Sequence, residues 1–128
     1  MKWKSRYTAV SIVFLIWLVS YLDRMVMSVA IPYIGMEFSL TPVEMGFVMS
    51  AFFAGYALCQ IPGGILADKF GAQKVMMAGI FWWSIFTGVT GLVGSFTTMI
   101  LARIVFGIGE GITPSGTWKM LATWTPVK

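Results

Sequence analysis

Four charged residues stand inside otherwise apolar stretches of this sequence: Asp23, Arg24, Arg103 and Glu110. A charge within a membrane span costs about 2.5 to 3.5 kcal/mol on insertion scales, so each needs an opposite partner or a water-filled cavity. The four sum to zero. A carboxyl can take up and release a proton, whereas a guanidinium keeps its charge and can grip a carboxylate through two parallel hydrogen bonds. Such a set can serve a function inside the bilayer. It also suits plain stapling of helices, and spacing alone leaves both uses open.

Pairing follows from depth. Counting 1.5 Å per residue, Asp23 lies about 22 Å into a first span that starts at Thr8, and Arg103 about 8 Å into a fourth that starts from the opposite face at Thr98. In a hydrocarbon core of about 30 Å these are one depth, so an Asp23 to Arg103 pair is expected. Adjacent helical residues point about 100° apart, which sends Arg24 to another neighbour. Arg103 and Glu110 return to within about 20° of one helix face, making Glu110 the candidate for Arg24, although the depth count leaves those two about 12 Å apart. The second pairing is the weaker expectation.

Around these charges, Gly107-Ile108-Gly109-Glu110-Gly111 followed by Pro114 marks either a close helix contact through small residues or a pliable helix beside a substrate path. Tyr56 and Gln60 share a helix face; Tyr56 is either a packed tyrosine or a ligand contact. With no histidine, the chain lacks what zinc protease motifs, Ser-His dyads and imidazole proton relays require. The single Cys59 excludes an internal disulfide framework. An enzyme is a poor reading, and no cofactor or metal site is expected.

The elements that position these residues are membrane helices. The chain has 128 residues, 58% apolar, 16% aromatic and 11% charged, with a mean hydropathy of +0.83, whereas soluble domains carry about a quarter charged residues. At roughly 20 residues per span the length allows at most about four or five. Apolar runs place them at about 8–31, 45–66, 75–93 and 98–120, with Pro32 ending or kinking the first. The first run is read as a retained span, since no small-x-small cleavage site follows it. Ser39-Leu40-Thr41-Pro42 before Glu44 is a helix-start signal.

Charge sidedness gives orientation. Apart from Arg24 and Arg103, every base falls on one side: Lys2, Lys4, Arg6, Lys69, Lys74, Lys119 and Lys128. The links at 33–44 and 94–97 carry none. By the positive-inside rule both termini are cytoplasmic, with Trp3, Trp118 and Trp124 as either interfacial anchors on that face or ordinary packing residues. The net charge of +4 is not gathered into a stripe that could track phosphates, so nucleic acid is not expected as a partner. The chain stops at Trp124-Thr125-Pro126-Val127-Lys128, just past a span, and further helices are expected beyond it.

Gly64-Ile65-Leu66-Ala67-Asp68-Lys69-Phe70-Gly71-Ala72-Gln73-Lys74, between the second and third spans on the basic side, resembles the signature loop of the major facilitator superfamily. In physical terms Gly64 allows close helix contact, Asp68 caps or pairs near helix ends, Gly71 makes the turn, and Lys69 and Lys74 hold the loop at the surface. The family's consecutive bases after the second glycine are interrupted here by Ala72-Gln73. Tyr21-Leu22-Asp23-Arg24 with Ala30-Ile31-Pro32, and Arg103 with Gly107, Glu110 and Pro114, resemble its anion:cation symporter branch, which includes hexuronate, aldonate and phthalate carriers and sialin relatives.

That resemblance implies an all-α integral membrane fold, with residues 1–128 forming the first four helices of a twelve-helix carrier whose site lies between two six-helix halves. It implies symport of a small organic anion, such as a sugar acid or other carboxylate, by alternating access in a cell inner membrane. The coupling ion is H⁺ or Na⁺, and paired acids without an evident sodium cage favour H⁺. Matched residue by residue, Arg24 corresponds to the base that binds the substrate carboxylate, Asp23 and Glu110 to the proton-exchanging acids, and Arg103 to the partner of Asp23. Tyr21 and Tyr56 correspond to positions lining the central cavity. Two other readings are a complete four-span multidrug exporter, disfavoured by the strong charge bias and by Arg24, and a non-transporting membrane assembly subunit, which leaves the buried charges unexplained.

Overall fold

A computed structural model describes residues 3–125 of the chain. Lys2 and Lys128 lie outside the described residues, as does the side chain of Trp3, so their places at the basic face are left as expectations. Four α-helices follow one another: α1 (Trp3–Glu37), α2 (Pro42–Phe70), α3 (Ala72–Thr90) and α4 (Phe96–Trp124), with no strand among the described residues.

Local sequence explains each boundary. Thr41 caps α2 in a reciprocal box, its hydroxyl accepting from the Glu44 N–H while the Glu44 carboxylate accepts from the Thr41 N–H, with Pro42 in the first turn. Ser95 and Thr98 do the same for α4. Between α2 and α3 the chain turns on Gly71 alone, whose φ of 93° favours glycine. The Gly71 N–H closes α2 by donating to the Ala67 carbonyl.

Two boundaries differ from the apolar pattern. Pro32 does not end α1, which runs on to Glu37; a proline deletes one backbone donor, and a membrane helix tolerates that loss. At 35 residues, α1 is about 52 Å long, well beyond a core of about 30 Å. In turn α3 stops at Thr90, with Gly91 and Leu92 folding back through hydrogen bonds to Gly88 and Val89. Lys4–Glu37, Pro42–Phe70 and Phe96–Trp124 are long and apolar enough to cross a membrane. The 19-residue α3 is not among them, since Gln73 and Lys74 dilute a short apolar run.

The bundle is organised around α4, and glycine sets its distances. A methyl group on Gly107 would strike the Phe52 carbonyl, one on Gly111 the Tyr56 carbonyl, and one on Gly55 the Ile104 carbonyl. Gly63 has the Ile112 Cα at 2.9 Å from the same notional position, and across the other face of α4 Gly79 has the Gly109 carbonyl at 2.9 Å. The α4 helix is thus wedged between α2 and α3 at backbone distance, the close-contact use of small residues. Phe52, Trp83 and Phe106 fill the space this leaves, and Met27, Val48 and Met99 form a second cluster toward the α1 carboxyl end.

By contrast α1 buries one narrow stripe, Ala9, Val13, Ser20 and Met27, and leaves large apolar residues such as Phe14, Leu22 and Val29 exposed. What ties its middle to α4 is polar.

Candidate functional site

Glu110, 1% exposed, projects from the centre of α4 toward α1. The Ser20 hydroxyl donates to one of its carboxylate oxygens, and Arg24 Nε donates to the other at 3.3 Å. Ser20 and Arg24 are one helical turn apart on the same face of α1, so both reach one acceptor. This is the pairing that the depth count ranked second. Ser20 is in hydrogen-bond contact with Glu110, and the Arg24 stem spans the remaining turn, so the axial offset is about 6 Å rather than the roughly 12 Å of the depth count.

The expected Asp23 to Arg103 ion pair is not formed: among the described residues Arg24 with Glu110 and Lys119 with Asp68 are the ion pairs. Instead Asp23 and Arg103 both line a cavity of about 300 Å³ between α1, α3 and α4, which extends to Glu37 at the end of α1. The two side chains thus converge on one space, as equal depth implies, but stand apart across it instead of touching. Arg103 is itself 5% exposed, and its Nε has no hydrogen-bond partner.

Aromatic rings take up part of that deficit. The Arg24 guanidinium carbon lies 4.8 Å from the Tyr56 ring centre, 5.2 Å from Phe52 and 5.3 Å from Tyr21. The Arg103 guanidinium lies 4.8 Å from Phe106 and 5.2 Å from Phe52. All fall within the roughly 6 Å at which a ring quadrupole attracts a cation. Phe52 touches both arginines. Tyr21 and Tyr56, singled out from sequence, thus stand beside Arg24, whereas Gln60 is exposed and its carbonyl accepts from Ser115 at 2.9 Å.

At the other end of α2, Asp68 accepts from Lys119 Nζ at 2.6 Å, and Lys119 also donates to the Ala67 carbonyl at 3.1 Å. The signature loop is clasped to α4 by a base from outside the loop. Lys69 lies over the Phe70 ring at 5.4 Å, and Lys74 is exposed. Gly64 is not the close-contact glycine: a methyl there would sit 3.7 Å from Ser115 Oγ, an ordinary distance, and its neighbour Gly63 makes the tight approach. Trp118 is exposed near the end of α4 and Trp124 is partly buried.

Sequence reasoning overlooked Ser20, Phe52 and Lys119. Ser20 and Phe52 each precede a selected residue, Arg24 and Tyr56, by one helical turn, which was the available signal. Lys119 reads in sequence only as one of the bases that set orientation.

The Major Facilitator Superfamily model matches residues 13–128. The chain belongs to the major facilitator superfamily. Its relatives include the hexuronate transporter of Bacillus subtilis (strain 168), 33% identical over 96% of this chain and 29% of that protein. The galactarate/D-glucarate transporter GarP of Escherichia coli (strain K12), named as probable, is 37% identical over 97% of this chain and 29% of its own length. A chloroplastic protein of Oryza sativa subsp. japonica, named probable anion transporter 4, is 40% identical over 95% of this chain and 21% of its own. The chain therefore spans about a fifth to three tenths of the length of these relatives.

For a major facilitator chain the three long apolar helices α1, α2 and α4 are membrane helices, and the protein is a multi-pass membrane protein of a transporter family rather than an enzyme. The relatives are named as carriers of anions, in keeping with the anion:cation symporter branch.

Proposed function

We propose that this chain forms the amino-terminal part of a proton-coupled symporter for organic anions, with sugar acids and similar carboxylates as the substrate class. Alternating access would expose the site to each side of a cell inner membrane in turn. All four helices span the bilayer, α3 included, and both ends of the chain face the cytoplasm, as the one-sided bases favour. Helices beyond residue 128, like those of its longer relatives, complete the site.

The observation that carries this reading is the Arg24 to Glu110 contact at 3.3 Å, in which Glu110 is 1% exposed and the arginine side chain 21%. Arg24 is the substrate's anchor, because a guanidinium keeps its charge and grips a carboxylate bidentately. Without substrate, Glu110 supplies its countercharge. An arriving carboxylate competes for Arg24, and a buried Glu110 deprived of its partner is costly as an anion, so it takes up a proton. Anion binding and proton uptake then become one event. Asp23, facing the cavity with Arg103, is the second proton-exchanging acid, and Arg103 its electrostatic neighbour. Tyr21 and Tyr56 line the anion's approach.

Uptake of D-galacturonate and D-glucarate by cells expressing the full-length carrier tests this reading. Arg24→Lys, which keeps the charge and loses the fork, should raise KM by at least tenfold. Unchanged KM in that variant would remove Arg24 from the anion site.

A further inference from the structure

Phe52 is 2% exposed and lies 5.2 Å from the guanidinium carbons of both Arg24 and Arg103. Each of those arginines holds a buried nitrogen without a hydrogen-bond partner, Nη2 of Arg24 and Nε of Arg103. A buried donor left unmatched is destabilising, and here an aromatic ring is the group that meets both cations. The residue is also held by its packing. Its backbone carbonyl fills the space a side chain on Gly107 would occupy, and Phe53 at 5.0 Å and Phe106 at 5.6 Å pack against it. Of the other rings beside Arg24, Tyr21 is 55% exposed and Tyr56 half-buried.

We propose that Phe52 is a positioning residue: its ring, in contact with both guanidiniums, holds Arg24 in the anion-accepting orientation during the part of the cycle when Glu110 is neutral. The proposal rests on the assignment of Arg24 as anchor. While Glu110 is ionised, its hydrogen bond orients Arg24. Once an arriving anion has displaced Glu110 and the acid is protonated, that restraint is lost, just when the guanidinium must stay aligned on the anion, and disorder there would be paid for in affinity. A face that attracts the cation without competing as an anion meets this need. An apolar side chain of similar volume would fill the space and lose the function.

The test replaces Phe52 in the full-length carrier by mono-, di- and trifluorophenylalanine, which keep shape and progressively remove the ring's negative face. Glu110→Gln serves as the background, so that the rings are the main restraint on Arg24. KM for D-galacturonate counterflow should rise stepwise, about three- to tenfold by the trifluoro step, with maximal rate within about twofold and with Phe52→Leu matching the trifluoro variant. A flat KM across the series overturns the proposal. Thermal melting of the same purified proteins gives a readout that needs no substrate. Fluorination should lower Tm, and the loss should shrink when Arg24→Met is added; a loss undiminished by Arg24→Met overturns the proposal equally. If Arg24→Met instead carries D-galacturonate with its parent's KM, the anchor assignment fails, and so does a positioning role for Phe52. If no D-galacturonate moves in any variant, that substrate is wrong, and melting alone decides whether Phe52 holds Arg24.

Discussion

Arg24 meets Glu110 through Nε at 3.3 Å, while its Nη2 has no hydrogen-bond partner and its guanidinium lies among three rings. The ion pair thus engages one side of the arginine and leaves the rest of the group to weaker aromatic contacts. Such an arrangement holds the charge in place without saturating it, as an exchangeable countercharge requires.

The role of Asp23 can be separated from that of Glu110 by folding. Because Asp23 makes no direct ion pair with Arg103 and faces a cavity of about 300 Å³, Asp23→Asn should leave the yield of folded full-length carrier close to wild type. Glu110→Leu should lower it, since it leaves the half-buried Arg24 charge uncompensated, at a cost below the about 3 to 5 kcal/mol of a fully buried pair. Size-exclusion profiles of the two variants in detergent check this; equal losses would show that Asp23 is also a structural staple.

The glycines divide into those that are needed and those that are not. Gly107→Ala would place a methyl against the Phe52 carbonyl, and overpacking of this kind costs about 1 to 3 kcal/mol. Gly88→Ala meets nothing within 4 Å and should be neutral or stabilise α3 by up to about 1 kcal/mol. Melting temperatures of the two variants should move in opposite directions or at least differ by several degrees. A tolerated Gly107→Ala would contradict the backbone contact between α2 and α4.

Much of this was legible in the sequence, for physical reasons that also mark its limit. Charges in apolar runs are conspicuous, so Asp23, Arg24, Arg103 and Glu110 identified themselves. Ser20 and Phe52 are ordinary membrane-helix residues, and only their neighbours in space give them a role. Ranking pairs by depth failed because an arginine stem spans a helical turn: Ser20 and Arg24, on one face of α1, both reach Glu110. Gly71 could be read as a turn because glycine's freedom is local. That Gly63 rather than Gly64 makes the close approach depends on the facing Ile112, which no local pattern reveals.

The clasp between Lys119 and Asp68, at 2.6 Å, joins side chains 41% and 77% exposed. Exposed pairs of this kind contribute about 0 to 1 kcal/mol, so a double-mutant cycle of Lys119→Met and Asp68→Asn on melting should show a coupling within that range. A coupling of several kcal/mol would mean that the loop region is buried in the complete carrier.

Orientation is open to chemical labelling after Cys59, the free cysteine of the described residues, is replaced by serine. A cysteine at Gly94, where a side chain meets nothing within 4 Å, should react with an impermeant maleimide from outside the cell. One at Gln73, exposed at the start of α3, should react only after the membrane is opened. The reverse pattern would invert the assignment of both ends to the cytoplasm.

The coupling role of Glu110 is tested most directly by comparing two modes of D-galacturonate transport in Glu110→Gln full-length carrier reconstituted in vesicles. A neutral side chain at this position should leave counterflow, which needs only binding and alternating access, near the wild-type rate. Accumulation driven by an imposed proton gradient should be abolished. Gradient-driven accumulation that survives the substitution would contradict the account and move the coupling proton to Asp23.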